Sequence, residues 1–202
     1  MSWRGRGSRG ESEPRPQGAD GTFDTEQVPE MRLAILSDIH DNVWKLAAAL
    51  DQLRGCADAM ICCGDLCSPF IVHQLGRGFA GAVHVIFGNN DGDLFRITAN
   101  AARYPQIKIH GELLRADFAG KRIAANHYDN IARAIAASGE YDVVCYGHNH
   151  VYDVSRIGPT LAINPGAVMG ASFASDGTRT DAASTYVIYD TEAGHAQRCE
   201  VS

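Results

Sequence analysis

Asp38 and His40 stand at the end of the apolar run LAILS, and four further runs end in side chains of the same kind. MICCG is followed by Asp65, HVIFG by Asn89 with Asp91 close behind, RIAAN by His127, and VVCYG by His148 and His150. Polar and ionisable groups at the ends of buried strands are costly unless something binds them. Imidazole and carboxylate together suit Zn, Mn, Fe, Ni or Co rather than Ca, and a carboxylate has two oxygens with which to span two cations. A pair of cations roughly 3.5 to 4 Å apart lowers the pKa of a bound water to about 7 and clamps both oxygens of a phosphoryl displacement. Asp38, His40, Asp65, Asn89, His127, His148 and His150 fit that chemistry best.

Each motif alone has a plainer reading. An Asp in D-x-H can simply cap the helix that follows, and GHNH can be a polar turn. The order is what carries weight: D-x-H, G-D, G-N-x-D, H and G-H-x-H, each directly after a strand of one chain.

The elements that position these residues alternate at first. Strand RLAILS leads into helix NVWKLAAALDQL, with Val43, Leu46, Ala47, Leu50 and Leu53 on one face, then strand DAMICC, a helical stretch near residues 69 to 77, and strand AVHVIF. This βαβαβ order predicts a parallel sheet with outer helices, whose ligand crevice lies beyond the carboxyl ends of the strands. Beyond about residue 105 the rhythm changes to short strands, IKIH, ELLRADF and KRIAAN, a helix near 129 to 138, then DVVCY, VYDVSRI, TLAIN, STYVIYD and AQRCEVS. So many strands with so few helices predict a second sheet packed on the first.

The bulk composition sets the limits. Of 202 residues, 45% are hydrophobic and 21% charged, the profile of an ordinary globular chain with one core. Residues 1 to 30 are rich in Gly, Arg, Ser and Pro with almost nothing to bury, which predicts a disordered tail before a domain spanning 31 to 202. No run approaches the roughly 18 apolar residues of a membrane span, and a cytoplasmic protein is the default expectation. A formal charge of −6 argues against a long polyanion as the main partner, so nucleic acid is disfavoured. The six cysteines show no paired C-x-x-C spacing and read as reduced core thiols. His73, His84, His110 and His195 lie away from the five strand ends and are expected at the surface or in the core. No Walker-type phosphate loop is present.

From Met31 onward the chain resembles the calcineurin-like metallophosphoesterases, through SDIH, GD at 64 to 65, GNND, His127, GHNH and NPGAV at 164 to 168. The resemblance implies an α/β fold of two packed mixed sheets flanked by helices, a four-layer α-β-β-α sandwich. It implies two divalent transition metals, Mn²⁺ first, with Ni²⁺, Fe²⁺, Co²⁺ or Zn²⁺ as alternatives. Asp38, His40, Asp65 and His150 would hold one, and Asp65, Asn89, His127 and His148 the other, with Asp65 as the bridge. Asn89, Asp91 and His148 are the residues expected to be catalytic. INPGAV is expected to form a tight turn beneath the metals.

The short chain looks most like the compact single-domain phosphodiesterases of this family, acting on small phosphodiesters through a hydroxide held between the metals. Two positions depart from the pattern. Asn90 stands where many relatives carry a His that protonates the leaving group, and Cys67 where several have another polar residue. A phosphomonoesterase or protein phosphatase would use the same ligands. A non-catalytic scaffold, as this fold serves in the retromer coat, would tend to lose ligands, and here all seven positions hold residues that can coordinate. A homo-oligomer is left open.

Overall fold

The computed structural model describes residues 30–202, so all but the last residue of the expected tail lies outside the described residues. The first sheet has six strands in the order β13-β12-β1-β2-β3-β4. Its strands are β1 (Arg32–Leu36), β2 (Ala59–Cys62), β3 (Ala82–Val85), β4 (Ile107–Ile109), β12 (Thr185–Asp190) and β13 (His195–Glu200). Helices α1 (Val43–Gln52), α2 (Ile71–Gly78) and α3 (Leu94–Ala101) make the crossovers between β1, β2, β3 and β4, which run parallel.

The second sheet has the order β5-β6-β7-β9-β8. It comprises β5 (Leu113–Phe118), β6 (Lys121–Asn126), β7 (Val143–Cys145), β8 (Asp153–Ile157) and β9 (Thr160–Asn164), with α4 (Asp129–Ala137) on its outer face. Parallel pairing of β6 with β7 and of β7 with β9 sits between two antiparallel edges, so this sheet is mixed. A separate hairpin, β10 (Ala171–Phe173) with β11 (Arg179–Asp181), belongs to neither sheet.

The alternation of side chains along each strand builds the layers. Ala34, Leu36, Met60, Cys62, Val83 and Val85 point to the helices, with Leu46, Leu50, Ile71 and Leu75. Leu33, Ile35, Ala59 and Ile61 point the other way, into a core shared with Ile123, Val143, Cys145 and Ile163 of the second sheet. Ala124, Val144 and Ala162 close the outer side against Ala132 and Ala136 of α4. Because β1 and β2 are covered on both faces they read as unbroken apolar runs. The four-layer α-β-β-α sandwich is the architecture the resemblance implied.

Three strands fall elsewhere than the change of rhythm suggested. IKIH pairs with β3 as a further parallel strand, and STYVIYD and AQRCEVS return to the first sheet as β12 and β13, antiparallel to β1 and to each other. The crossover that carries the chain to β4 is α3, a helix the sequence pattern does not announce. Only Ile97 and Ala101 of its eight residues are buried, so its apolar stripe is a single pair. Of the cysteines, all free, Cys62, Cys63 and Cys145 are core thiols, while Cys56, Cys67 and Cys199 are only half-buried.

Candidate metal centre

The strands that matter end on one edge. The loops after β1, β2 and β3 carry Asp38 and His40, Asp65, and Asn89; those after β6 and β7 carry His127, and His148 with His150. Their backbone is unusual. Asp38, His40, Asp65, His148 and His150 all adopt positive φ, from 43° to 73°, as do Asp41 and Cys67 beside them. The one other such non-glycine among the described residues is Ala119, in the β5–β6 turn. Left-handed backbone at non-glycine residues costs of order 1 to 3 kcal/mol each and persists only where surrounding bonds enforce it.

Those bonds are present. Ile39 and His40 both donate their backbone N–H to Asp65 O at 3.0 Å, and Asp38 N donates to Gly64 O at 3.1 Å. Val168 N and Met169 N donate to Ser37 O and Asp38 O at 3.0 Å, so the segment 164 to 169 braces the first loop. Asn164 of the same turn donates to Gly147 O at 3.1 Å and to Asn149 Oδ1 at 2.9 Å, bracing the GHNH loop. Asn42 caps α1 by accepting from Lys45 N. Asp41 instead accepts from the N–H and hydroxyl of Ser68 at 2.9 and 2.6 Å, tying the loop after β1 to the loop after β2. Gly147 is required by proximity, since a Cβ there would fall on Ser37 Oγ and Asp38 Oδ2.

The side chains gather into two groups. In the first, His40 Nε2 lies 3.1 Å from His150 Nε2, and these nitrogens lie 3.7 and 3.3 Å from Asp38 Oδ1. In the second, Asn89 Oδ1 lies 3.1 Å from His127 Nε2 and 2.9 Å from His148 Nδ1. Asp65 Oδ2 joins them, 3.5 Å from His40 Nε2 and 3.3 Å from His127 Nε2. Asp38 also keeps an oxygen within 4.8 Å of donor atoms of Asp65 and His127. Ligand atoms bound to a common ion at about 2.1 Å sit roughly 3.0 to 3.5 Å apart, close to these separations.

Neighbouring groups fix which way the rings present their lone pairs. His127 Nδ1 donates to Cys63 O at 2.7 Å and His150 Nδ1 to Ala171 O at 2.8 Å. In the neutral ring each Nε2 is then an acceptor, and it faces carboxylate, amide or imidazole acceptors. Asp38 Oδ1, fully buried, makes no hydrogen bond at all. Acceptors crowded against acceptors are stable only with protons or cations between them, so the donor set fits divalent metal.

The protonation behaviour says the same. Burial opposes ionisation of Asp38, but the His150 and His40 imidazoles beside it outweigh that and hold its carboxyl well below the usual range. Asp65 is likewise lowered, its burial offset by His127 and by bonds from Asn90. Burial acts to lower His127 and His150, yet Asp65 raises the first and Asp38 the second above 6.5. Burial, with Asp41 nearby, pushes the Cys67 thiol up to about 12, and its Sγ lies 3.5 Å from His40 Nδ1.

All seven expected donors are therefore brought together, but Asp91 is not among them. It lies 9% exposed, and its two oxygens accept from the backbone N–H groups of Asp65, Cys67 and Gly88 at 3.1, 2.9 and 2.7 Å. The carboxylate pins the loop carrying Asp65 to the loop carrying Asn89. Asn90, by contrast, bonds Asp65 twice, N–H to Oδ1 and Nδ2 to Oδ2, both at 2.8 Å. The other histidines keep to themselves: His84 pairs with His110 at 2.9 Å, His73 with Tyr104 at 3.0 Å, and His195 is exposed.

Sequence and structure comparisons show the family and the fold. The profile of the calcineurin-like phosphoesterase superfamily domain matches residues 31–194, and the chain belongs to that family. It is 27% identical over 143 residues to phosphodiesterase MJ0936 of Methanocaldococcus jannaschii, covering 69% of this chain and 86% of that protein. The structure of an archaeal phosphodiesterase superposes with a TM-score of 0.74 at 24% identity, over 84% of this chain and 99% of that one. Vps29 of Entamoeba histolytica, solved with Zn²⁺, shares the fold with a TM-score of 0.55 at 17% identity, over 85% of this chain and all of that one.

A pH dependence follows. Folded-state values of His127 and His150 above 6.5 mean that their protons stabilise the metal-free protein below that pH, and that this stabilisation is lost as pH rises through the raised values. Cations must displace those protons. The melting-temperature gain from a saturating divalent cation should therefore be larger at pH 8 than at pH 6, at constant ionic strength. An equal gain at both would contradict the competition.

Proposed function

We propose that the chain is a dinuclear metal-dependent phosphodiesterase acting on small phosphodiesters. The observation that carries this reading is the convergence of seven donors around one shared carboxylate oxygen of Asp65, 3.5 Å from His40 and 3.3 Å from His127. Asp38, His40, Asp65 and His150 would hold one ion, and Asp65, Asn89, His127 and His148 the second. Bound there, two divalent ions supply an activated water and neutralise charge developing on the phosphoryl oxygens. Mn²⁺ is the first choice for this mixed imidazole and carboxylate set, with Ni²⁺, Fe²⁺, Co²⁺ and Zn²⁺ suiting the same donors. The similarity to phosphodiesterase MJ0936 supports diesters over monoesters. Six free thiols suit the reducing cytoplasm.

The protein's own part is positioning. Asn90 clamps both oxygens of Asp65, Asp91 fixes the loop beneath it, and Cys63 O and Ala171 O aim two imidazoles. None of these supplies a proton to a leaving group: an amide has no titratable proton, and Asp91 is enclosed by backbone donors. His148, exposed beside Asn89, is assigned to holding the second ion rather than to proton transfer. A scaffold of the same fold is the second reading, favoured by the shared fold of Vps29, and the full donor set weighs against it.

Hydrolysis of bis-p-nitrophenyl phosphate should stop on treatment with a chelator and return with Mn²⁺. Asp65→Asn should lower kcat/KM by about 10³-fold, several kcal/mol of transition-state stabilisation, and more than His40→Ala. Full turnover by metal-free protein would refute the reading.

General acid help is worth about 10² to 10⁴ in rate, and with Asn90 in place the enzyme should favour esters whose leaving groups are stable anions. Asn90→His should raise kcat/KM for alkyl esters while changing nitrophenyl esters little. A uniform drop on both would show that the amide's hold on Asp65 is its whole role.

A further inference from the structure

The β10–β11 hairpin has no place in either sheet, and two strands of three residues are marginal alone. It is fastened at its root to the metal centre. Ala171 O accepts from His150 Nδ1 at 2.8 Å, Ala182 N donates to Gly170 O at 3.1 Å, and the residue before Gly170, Met169, donates to Asp38 O.

Antiparallel register pairs Phe173 with Arg179 and Ala171 with Asp181, so these four residues share one hairpin face, and Ser172 and Thr180 the other. On the shared face Ala171 is fully buried, whereas Phe173 is 54% exposed. The Phe173 ring stands nearly perpendicular to the ring of His150, centroids 6.4 Å apart. Arg179, directly across from it, bonds Asp181 at 2.7 Å and remains largely exposed. The aromatic neighbour on the other side of the centre differs: Tyr128 is half-buried and packs against both His127 and His148, at 5.5 and 5.0 Å.

A large apolar ring left open to solvent beside the proposed metal centre, with Arg179 paired across the hairpin from it, matches an anionic ester that carries a flat aromatic group. Aromatic side chains stack on nucleobases with little base preference, and a guanidinium adds to the same face. We propose that the hairpin is the substrate-recognition element of the centre, with Phe173 stacking on a nucleobase carried by the phosphoester. This rests on the phosphodiesterase reading above, and Phe173 is a specificity residue outside the metal ligands.

The test compares adenosine 5′-phosphate with ribose 5-phosphate, which carries a hydroxyl in place of adenine at the anomeric carbon, as competitive inhibitors of bis-p-nitrophenyl phosphate hydrolysis by the Mn²⁺-loaded full chain. The wild type should bind the nucleotide about 10-fold more tightly. Phe173→Ala should bring the two inhibition constants together without changing metal content, and Phe173→Trp should keep them apart. An equal affinity in the wild type, a preference that survives Phe173→Ala, or a loss of metal in that variant would each overturn the proposal. If the wild type hydrolyses no diester, the phosphodiesterase reading itself fails. The same two ligands titrated calorimetrically into metal-loaded protein then still decide whether Phe173 binds a base.

Discussion

Buried acceptors aimed at one another are the constraint on which this structure turns. Asp38 and Asp65 are almost wholly buried, and the imidazoles facing them are oriented by carbonyls behind, so that lone pairs meet lone pairs. Left unpaired, such a cluster would cost several kcal/mol per charge, and in the metal-free chain protons on His127 and His150 relieve it. Everything around the cluster makes sense as a device to hold that arrangement: left-handed backbone at five of the seven donors, a glycine where a Cβ would strike Asp38, and a turn that bonds two loops at once.

The two sheets supply the rigidity. Asp38 and Asp65 come from neighbouring parallel strands, which places their loops side by side, with His40 N and Ile39 N both bonded to Asp65 O. His127 and His148 come from β6 and β7 of the opposite sheet, also parallel neighbours. The interface between the sheets, where Leu33, Ile35 and Ile61 meet Ile123, Val143 and Ile163, therefore fixes the spacing of the two halves of the centre.

Much of this could be read from the sequence because strand ends are visible as the places where apolar runs stop. Asp38, Asp65, Asn89, His127 and His148 each follow such a stop, and the α/β edge rule then gathers them. What could not be read has physical reasons. The strand IKIH and the two C-terminal strands joined the first sheet because pairing partners are set by register and crossover, which local pattern does not encode. Helix α3 buries a single pair of residues and leaves a weak stripe. That Asp91 accepts from three backbone N–H groups could not be read either, because a carboxylate's hydrogen-bond partners are invisible in sequence. The hairpin holding Phe173 lies in a stretch of Gly, Ser, Asp and Thr that resembles an ordinary loop.

In the proposed dinuclear centre Asp65 would join two metal sites into one, and the magnetic coupling of two bound Mn²⁺ ions would report this without any substrate. Electron paramagnetic resonance of the Mn²⁺-loaded full chain should give the closely spaced multiline pattern of an exchange-coupled pair, and Asp65→Asn should abolish it. A simple six-line signal of isolated ions in the wild type, at saturating Mn²⁺, would contradict the shared bridge.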